Sequence, residues 1–255
     1  MKNLLVFALL GALATVAVAA DQLTTTVDVG WYSKYLWRGF DLMDNKAVVT
    51  PSIDFDFGNG FNFNIWSAQP GSSGGNSFST VNATEFDYTL SYKNIIWEDG
   101  CLRTDYKVGY RFYDFTDMAS NDADMQELFM ELAWPNMMGN GFTPRYAYYH
   151  MWNSEGNGLV RKASGPIHAL GLDYVWTFEQ APELPMKLSA DLVYNDGTGN
   201  GTVDHDWSHV VWGLSTSIEA LGGKITPGVW YQNSMEDTVN TEDELWSGIS
   251  YSISF

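Results

Sequence analysis

Residues 102–113, LRTDYKVGYRFY, set Tyr106, Val108, Tyr110 and Phe112 against Asp105, Lys107, Gly109 and Arg111. Residues 245–255, LWSGISYSISF, do the same with Ile249, Tyr251, Ile253 and Phe255 against Gly248, Ser250, Ser252 and Ser254. A period of two puts successive side chains on opposite faces of a strand, and no helix sorts such a pattern. The alternation recurs over 23–35, 47–57, 61–69, 85–93, 126–134, 142–152, 167–178, 186–194, 208–218 and 223–233. Pro51, Pro144 and Pro227 fall inside three of these segments, on the apolar parity, where a bulge is expected to absorb the lost ladder bond.

Residues 1–20 have a positive start at Lys2, an apolar run and a small-residue end, which is the pattern of a secretory signal peptide cleaved near Ala20. Past them, no segment offers the roughly 18 apolar residues of a membrane helix. The lone Cys101 excludes an intrachain disulfide framework. The chain carries 31 Asp and Glu against 13 Lys and Arg. That balance excludes nucleic acid as a partner, because phosphate neutralisation needs a basic surface. An exported, aromatic-rich chain of two-faced strands can cross a bilayer only as a closed barrel, since lipid leaves an unpaired backbone group without a partner.

The connectors support closure. Short ones at 58–60, 94–100, 135–141, 179–185 and 220–223 interleave with longer polar ones at 38–47, 70–84, 116–125, 153–164, 197–207 and 235–244. Short periplasmic turns against long external loops are the asymmetry of outer-membrane barrels. The expected fold is all-β: an antiparallel up-and-down transmembrane barrel of about 12 strands over residues 21–255, with both termini periplasmic, in the outer membrane of a Gram-negative cell. A soluble β-sandwich would turn its apolar face inward and would have no reason to sort its loops by length.

Parity then gives a lumen inventory. The acids are Asp28, Asp54, Asp56, Glu85, Asp87, Asp105, Glu127, Glu131, Asp173 and Asp191; the bases are Arg103, Lys107, Arg111, Arg145 and Lys187. The expected constriction sets Arg103, Lys107 and Arg111 on one strand against Glu85, Asp87, Glu127 and Glu131 on its neighbours. Such a lattice stiffens the barrel, or orients solutes in transit, or does both. The acidic excess favours small polar or cationic solutes passing by diffusion through a narrow pore. A closed barrel serving structure or surface adhesion through its acidic external loops is the alternative.

Other chemistries have weaker support. The paired carboxylates Asp54/Asp56 and Glu85/Asp87 follow the general polar parity, so they do not single out glycosidase chemistry. A lipase dyad on the outer face would need His150 or His168 beside a serine. DHDWSH at 204–209 could ligate a metal through Asp204, His205, Asp206 and His209, and MEDTVNTEDE at 235–244 could hold calcium, though solvated loops account for both. No cofactor and no enzymatic activity are expected. Trp31, Trp66, Trp97, Trp134, Trp152, Trp176, Trp207 and Trp246 fall near strand ends, as interfacial girdles do; Trp66 and Trp230 have lumen parity and could line a sugar slide.

Residues 29–70 resemble the start of the Gcw_chp family of bacterial exported proteins, described as TorF-type porins. Ser33, Tyr35, Arg38 and Gly39 carry the resemblance, followed by Pro51, the Gly58–Gly60 turn and the aromatic Phe61–Trp66 strand. The resemblance implies a porin and assigns no site residues. The last strand, with Tyr251, Ile253 and a terminal Phe255, resembles the assembly signal of outer-membrane proteins, which implies recognition by the barrel-assembly machinery and insertion into outer-membrane lipid.

Overall fold

A computed structural model describes residues 23–71, 83–118, 123–154, 164–198, 205–235 and 240–255. The expected signal peptide lies outside the described residues. The strands are β1 (Thr24–Tyr32), β2 (Leu36–Trp37), β3 (Phe40–Asp41), β4 (Val48–Asp56), β5 (Phe61–Pro70), β6 (Glu85–Ile96), β7 (Thr104–Phe115), β8 (Met125–Ala133), β9 (Phe142–Asn153), β10 (Gly165–Phe178), β11 (Ala181–Asn195), β12 (Asp206–Thr216), β13 (Ile218–Ala220), β14 (Gly223–Ser234) and β15 (Glu244–Ser254). All but β2 and β3 join one antiparallel sheet, in which β13 continues β12 beyond Ser217 and both pair with β14. Chain neighbours are sheet neighbours throughout, and β15 returns to β1 with Val27 opposite Ile253 and Trp31 opposite Ile249. The result is a closed up-and-down barrel of 12 staves with no free edge.

Parity decides what faces outward. Val27, Val29, Trp31, Leu128, Leu170, Leu188, Trp212, Leu214 and Ile249 are exposed on the exterior, while their alternates Glu85, Asp87, Glu127, Asp173 and Gln232 are buried inside. An apolar outside around a polar inside is the inverse of a water-soluble sandwich and suits a bilayer.

Three local expectations are corrected. None of the three prolines requires a bulge: Pro51 faces Val29, Pro144 faces Leu172 and Pro227 faces Ile249 in unbroken register. The register shifts lie instead at Trp176/Phe178 and at Val193/Tyr194. The 179–185 connector shrinks to a two-residue turn, because β11 begins at Ala181 and carries Pro182 and Pro185 at its free end.

The first long connector folds into the barrel. β2 and β3 form a hairpin whose two turn residues, Arg38 and Gly39, have φ of 48° and 92°. Two positive φ values are what a tight hairpin turn demands. Asp41 fixes the return by accepting hydrogen bonds from the backbone N–H of Met43 (3.1 Å) and Asn45 (2.7 Å). On one side Trp37 packs against a buried cluster that includes Tyr113, Phe115, Met125, Met151 and Ile167. On the other side Met43 joins Val48 and Ala68, with Tyr32, Tyr35 and Trp66 around them. The hairpin is thus held by apolar surface on both flanks at the long-loop end of the barrel.

Candidate pore and constriction

The hairpin tip meets the barrel wall at Arg38. Its guanidinium ion-pairs with Glu127 on β8, and its Cζ lies 3.7 Å from the ring centre of Tyr149 on β9 and 4.9 Å from that of Trp37. Burial works against the charge, and the ion pair with Glu127 offsets it. Gly39 is required at the next position. A Cβ there would lie 2.8 Å from His209 Nδ1 on β12, in a left-handed backbone conformation that side chains disfavour. Gln232 of β14 donates to the Gly39 carbonyl at 3.4 Å, and Lys34 reaches Glu244 at 2.5 Å. The hairpin therefore touches walls on both sides of the lumen.

The residues singled out by parity fall into distinct groups. Glu127 is fully buried and accepts from Arg38, from Tyr113 Oη at 3.0 Å and from Arg111 Nη1 at 3.5 Å. Arg111 also lies 4.0 Å from Asp87 and donates to Thr89 at 3.1 Å. Glu85 and Asp87 are buried beside the hairpin, and burial with these two carboxylates nearby pushes the Tyr35 hydroxyl well above its ordinary range. A second group sits toward the short-turn end. Arg145 contacts Asp173 at 2.9 Å and Asp191 at 3.0 Å, and Lys187 reaches Asp173 at 2.9 Å. The guanidinium of Arg145 passes over Gly171, where a Cβ would lie 2.8 Å from its Cζ.

Lys107 stands opposite Glu131 in register, with its Nζ 5.5 Å from the Phe129 ring, and makes no ion pair among the described residues. Glu131 instead accepts from Tyr149 at 3.2 Å. Arg103 does not join the constriction: it precedes β7, in the turn, and pairs with Asp105 at 2.9 Å. Of the expected ladder, Arg111 meets its acids, Lys107 faces open space and Arg103 marks the rim.

Below the hairpin lies a cavity of about 1010 Å³, reaching to the Gly58–Gly60 turn. Its charged lining is Arg38, Lys93, Lys107 and Arg145 with Asp105, Glu131 and Asp191. Sequence reasoning missed Arg38, which sits in a nominal loop, and Lys93, which parity had already placed inside. It also misassigned Trp246: this residue and Trp66 face the lumen, while Trp31, Trp97 and Trp207 are exposed outside. His209 points inward beneath Gly39, and His205 pairs with Asp196; Asp204 lies outside the described residues. His168 on the exterior is hydrogen-bonded to Tyr146 Oη at 2.8 Å, and His150 lies between Tyr148 and Trp152.

No family model and no curated relative matches the chain. Its solved structural neighbours are outer-membrane channels. A KdgM porin superposes with a TM-score of 0.55 at 12% identity, covering 90% of this chain and 99% of that one. An outer-membrane channel from Pseudomonas putida F1 gives 0.54 at 10% identity, covering 92% and 96%. A NanC porin gives 0.52 at 12% identity, covering 90% and 98%. The chain shares the barrel fold of these proteins.

Proposed function

We propose that the protein is a non-enzymatic outer-membrane porin, a diffusion channel for small polar solutes with a preference for cations over anions. The cavity below the hairpin carries the reading: about 1010 Å³ lined by charged side chains inside an apolar-walled closed barrel. The porin fold of its neighbours supports it. The acidic excess on the inner parity as a whole supports the cation preference, against the four bases and three acids that line the cavity itself. In this reading Arg111, Glu85, Asp87 and Glu127 set the constriction with Arg38. Lys107, Glu131, Arg145, Asp173, Lys187, Asp191 and the rim pair Arg103 and Asp105 set the field below it. A neighbouring KdgM porin was solved in complex with disordered oligogalacturonate, so acidic oligosaccharides belong in the solute panel.

Targeting by residues 1–20, recognition of Tyr251, Ile253 and Phe255 by the barrel-assembly machinery, and membership of the Gcw_chp family complete the proposal. Support for the last is the placement of Tyr35, Arg38 and Gly39, which the resemblance rests on, in the lumen hairpin.

The reading is tested by single-channel recording of the refolded barrel in a planar bilayer under a KCl gradient. Discrete cation-leaning steps are expected, and Lys107→Glu should move the reversal potential further toward cations because Lys107 makes no ion pair among the described residues. One observation favours the second reading, a closed structural barrel: the hairpin is packed on both flanks and bolted by Arg38. Silence from a folded barrel, persisting when the hairpin is deleted, would establish that reading instead.

A further inference from the structure

The inner faces of β14, β15 and β1 are unlike the rest of the lumen. They carry Trp230, Trp246 and Tyr32 among glycines and hydroxyls. Trp230 and Trp246 are cross-strand partners with ring planes 19° apart and centroids separated by 6.1 Å; Tyr32 lies 5.8 Å from Trp230 at 55°. Glycines make room for the rings against the wall. A Cβ on Gly228 would come within 2.5 Å of the Trp230 ring and one on Gly213 within 2.7 Å; one on Gly248 would come within 2.1 Å of Tyr32. The rings thus lie close over the wall, and Trp246 borders the cavity.

We propose that Trp246, Trp230 and Tyr32 form a stacking subsite for neutral pyranosides, with Gln232 as its hydrogen-bonding side chain. Gln232 lies two residues from Trp230 on the same inward face, is 1% exposed and borders the same cavity. Its Nε2 donates to Gly39 and to Ser234, but its Oε1 has no partner among the described residues. A buried acceptor left bare calls for a donor. A pyranose supplies both complements, an apolar C–H face for the indoles and hydroxyl donors for Gln232. Neutrality follows from the charges nearby: Lys34 is matched by Glu244, Arg38 by Glu127 and Lys224 by Glu219, and Asp28, hydrogen-bonded to Ser250 on the same inner face, would repel an acidic sugar. The porin reading enters only as the route by which a sugar arrives.

The test is saturation-transfer NMR and calorimetric titration of the detergent-solubilised, folded protein with maltohexaose, with sorbitol and trigalacturonate as comparators. Maltohexaose should bind, sorbitol should not, and trigalacturonate should bind more weakly. Trp246→Ala should weaken maltohexaose about tenfold, and Trp246→Phe, which keeps a ring, should retain most of the affinity. No binding to the wild type, equal binding to Trp246→Ala, or tighter binding of trigalacturonate would overturn the subsite. Conductance recorded on the same preparation separates the two readings: a silent barrel that still binds maltohexaose through Trp246 keeps the subsite and loses the porin.

Discussion

The lumen holds two ion-pair clusters built from the same residue types. At the long-loop end, Glu127 is 0% exposed on its side chain and serves Arg38, Arg111 and Tyr113. At the short-turn end only Asp173 is buried: the side chains of Arg145 and Asp191 are 32% and 31% exposed and Lys187 is 47% exposed. Sequence parity treats the two alike, whereas burial separates them. A buried carboxylate shared by two guanidinium groups cannot lose a partner cheaply, so the first cluster locks the hairpin in place. Water screens the second, so its pairs add little stability and leave their field available to a passing solute.

Glu127→Leu should break this comparison most visibly. It strands Arg38 and Arg111 together in the interior, and breaking a buried pair of this kind typically costs about 3–5 kcal/mol. Denaturant unfolding should fall by that order, and single-channel recordings should show larger, noisier openings as the hairpin leaves its seat. Unchanged conductance with the barrel intact would mean that the apolar clusters alone retain the hairpin. Gly39→Val should act in the same direction at the hairpin itself, by about 1–3 kcal/mol, through a left-handed φ and the collision with His209. The barrel melting transition should move less than the gating does, because β2 and β3 lie outside the barrel ladder.

The staves were legible because a period of two needs only neighbouring residues to be read, and a slip of one would turn every side chain to the wrong face. The lumen hairpin was not legible. Its seat depends on Tyr113, Met151, Val48 and Ala68, which come from strands far apart in the chain, and nothing local distinguishes it from a loop in solvent. Arg38 and Gly39 were flagged only by resemblance, although an Arg-Gly pair between Trp37 and Phe40 is a fair local signal for a tight hairpin. Trp246 differs for another reason: it lies near a strand end, as girdle residues do, but its parity with Ser250 and Ser252 turns it inward. Arg103 was the reverse case, where parity was followed past the end of the strand.

Asp191→Asn should affect the exposed cluster in the opposite manner to Glu127→Leu. Stability should change by about 1 kcal/mol or less, because Arg145 keeps Asp173 and water screens the site. The reversal potential should move measurably toward anions, since Arg145 is then less neutralised. A large stability loss here would erase the distinction between lock and field.

The smallest expected effect lies outside the lumen, where the loop before β15 is tied to β14. Asp243 accepts from Tyr231 Oη at 2.6 Å, from the Ser234 N–H at 2.9 Å and from Asn233 at 3.1 Å, and these bonds hold its carboxyl below the ordinary 3.8. A carboxylate favoured in the folded state contributes stability above its unfolded pKa, and the contribution is lost as pH falls through the lower folded value. The protection of the Ser234 amide, measured against its intrinsic exchange rate at each pH, should therefore fall below about pH 4, while amides of the buried Glu127 neighbourhood stay protected. Asp243→Asn should make the Ser234 protection insensitive to acid over that range. If both regions opened together, the loop would be part of the same cooperative unit as the constriction, and the separation between locked interior and adjustable surface would have to be drawn elsewhere.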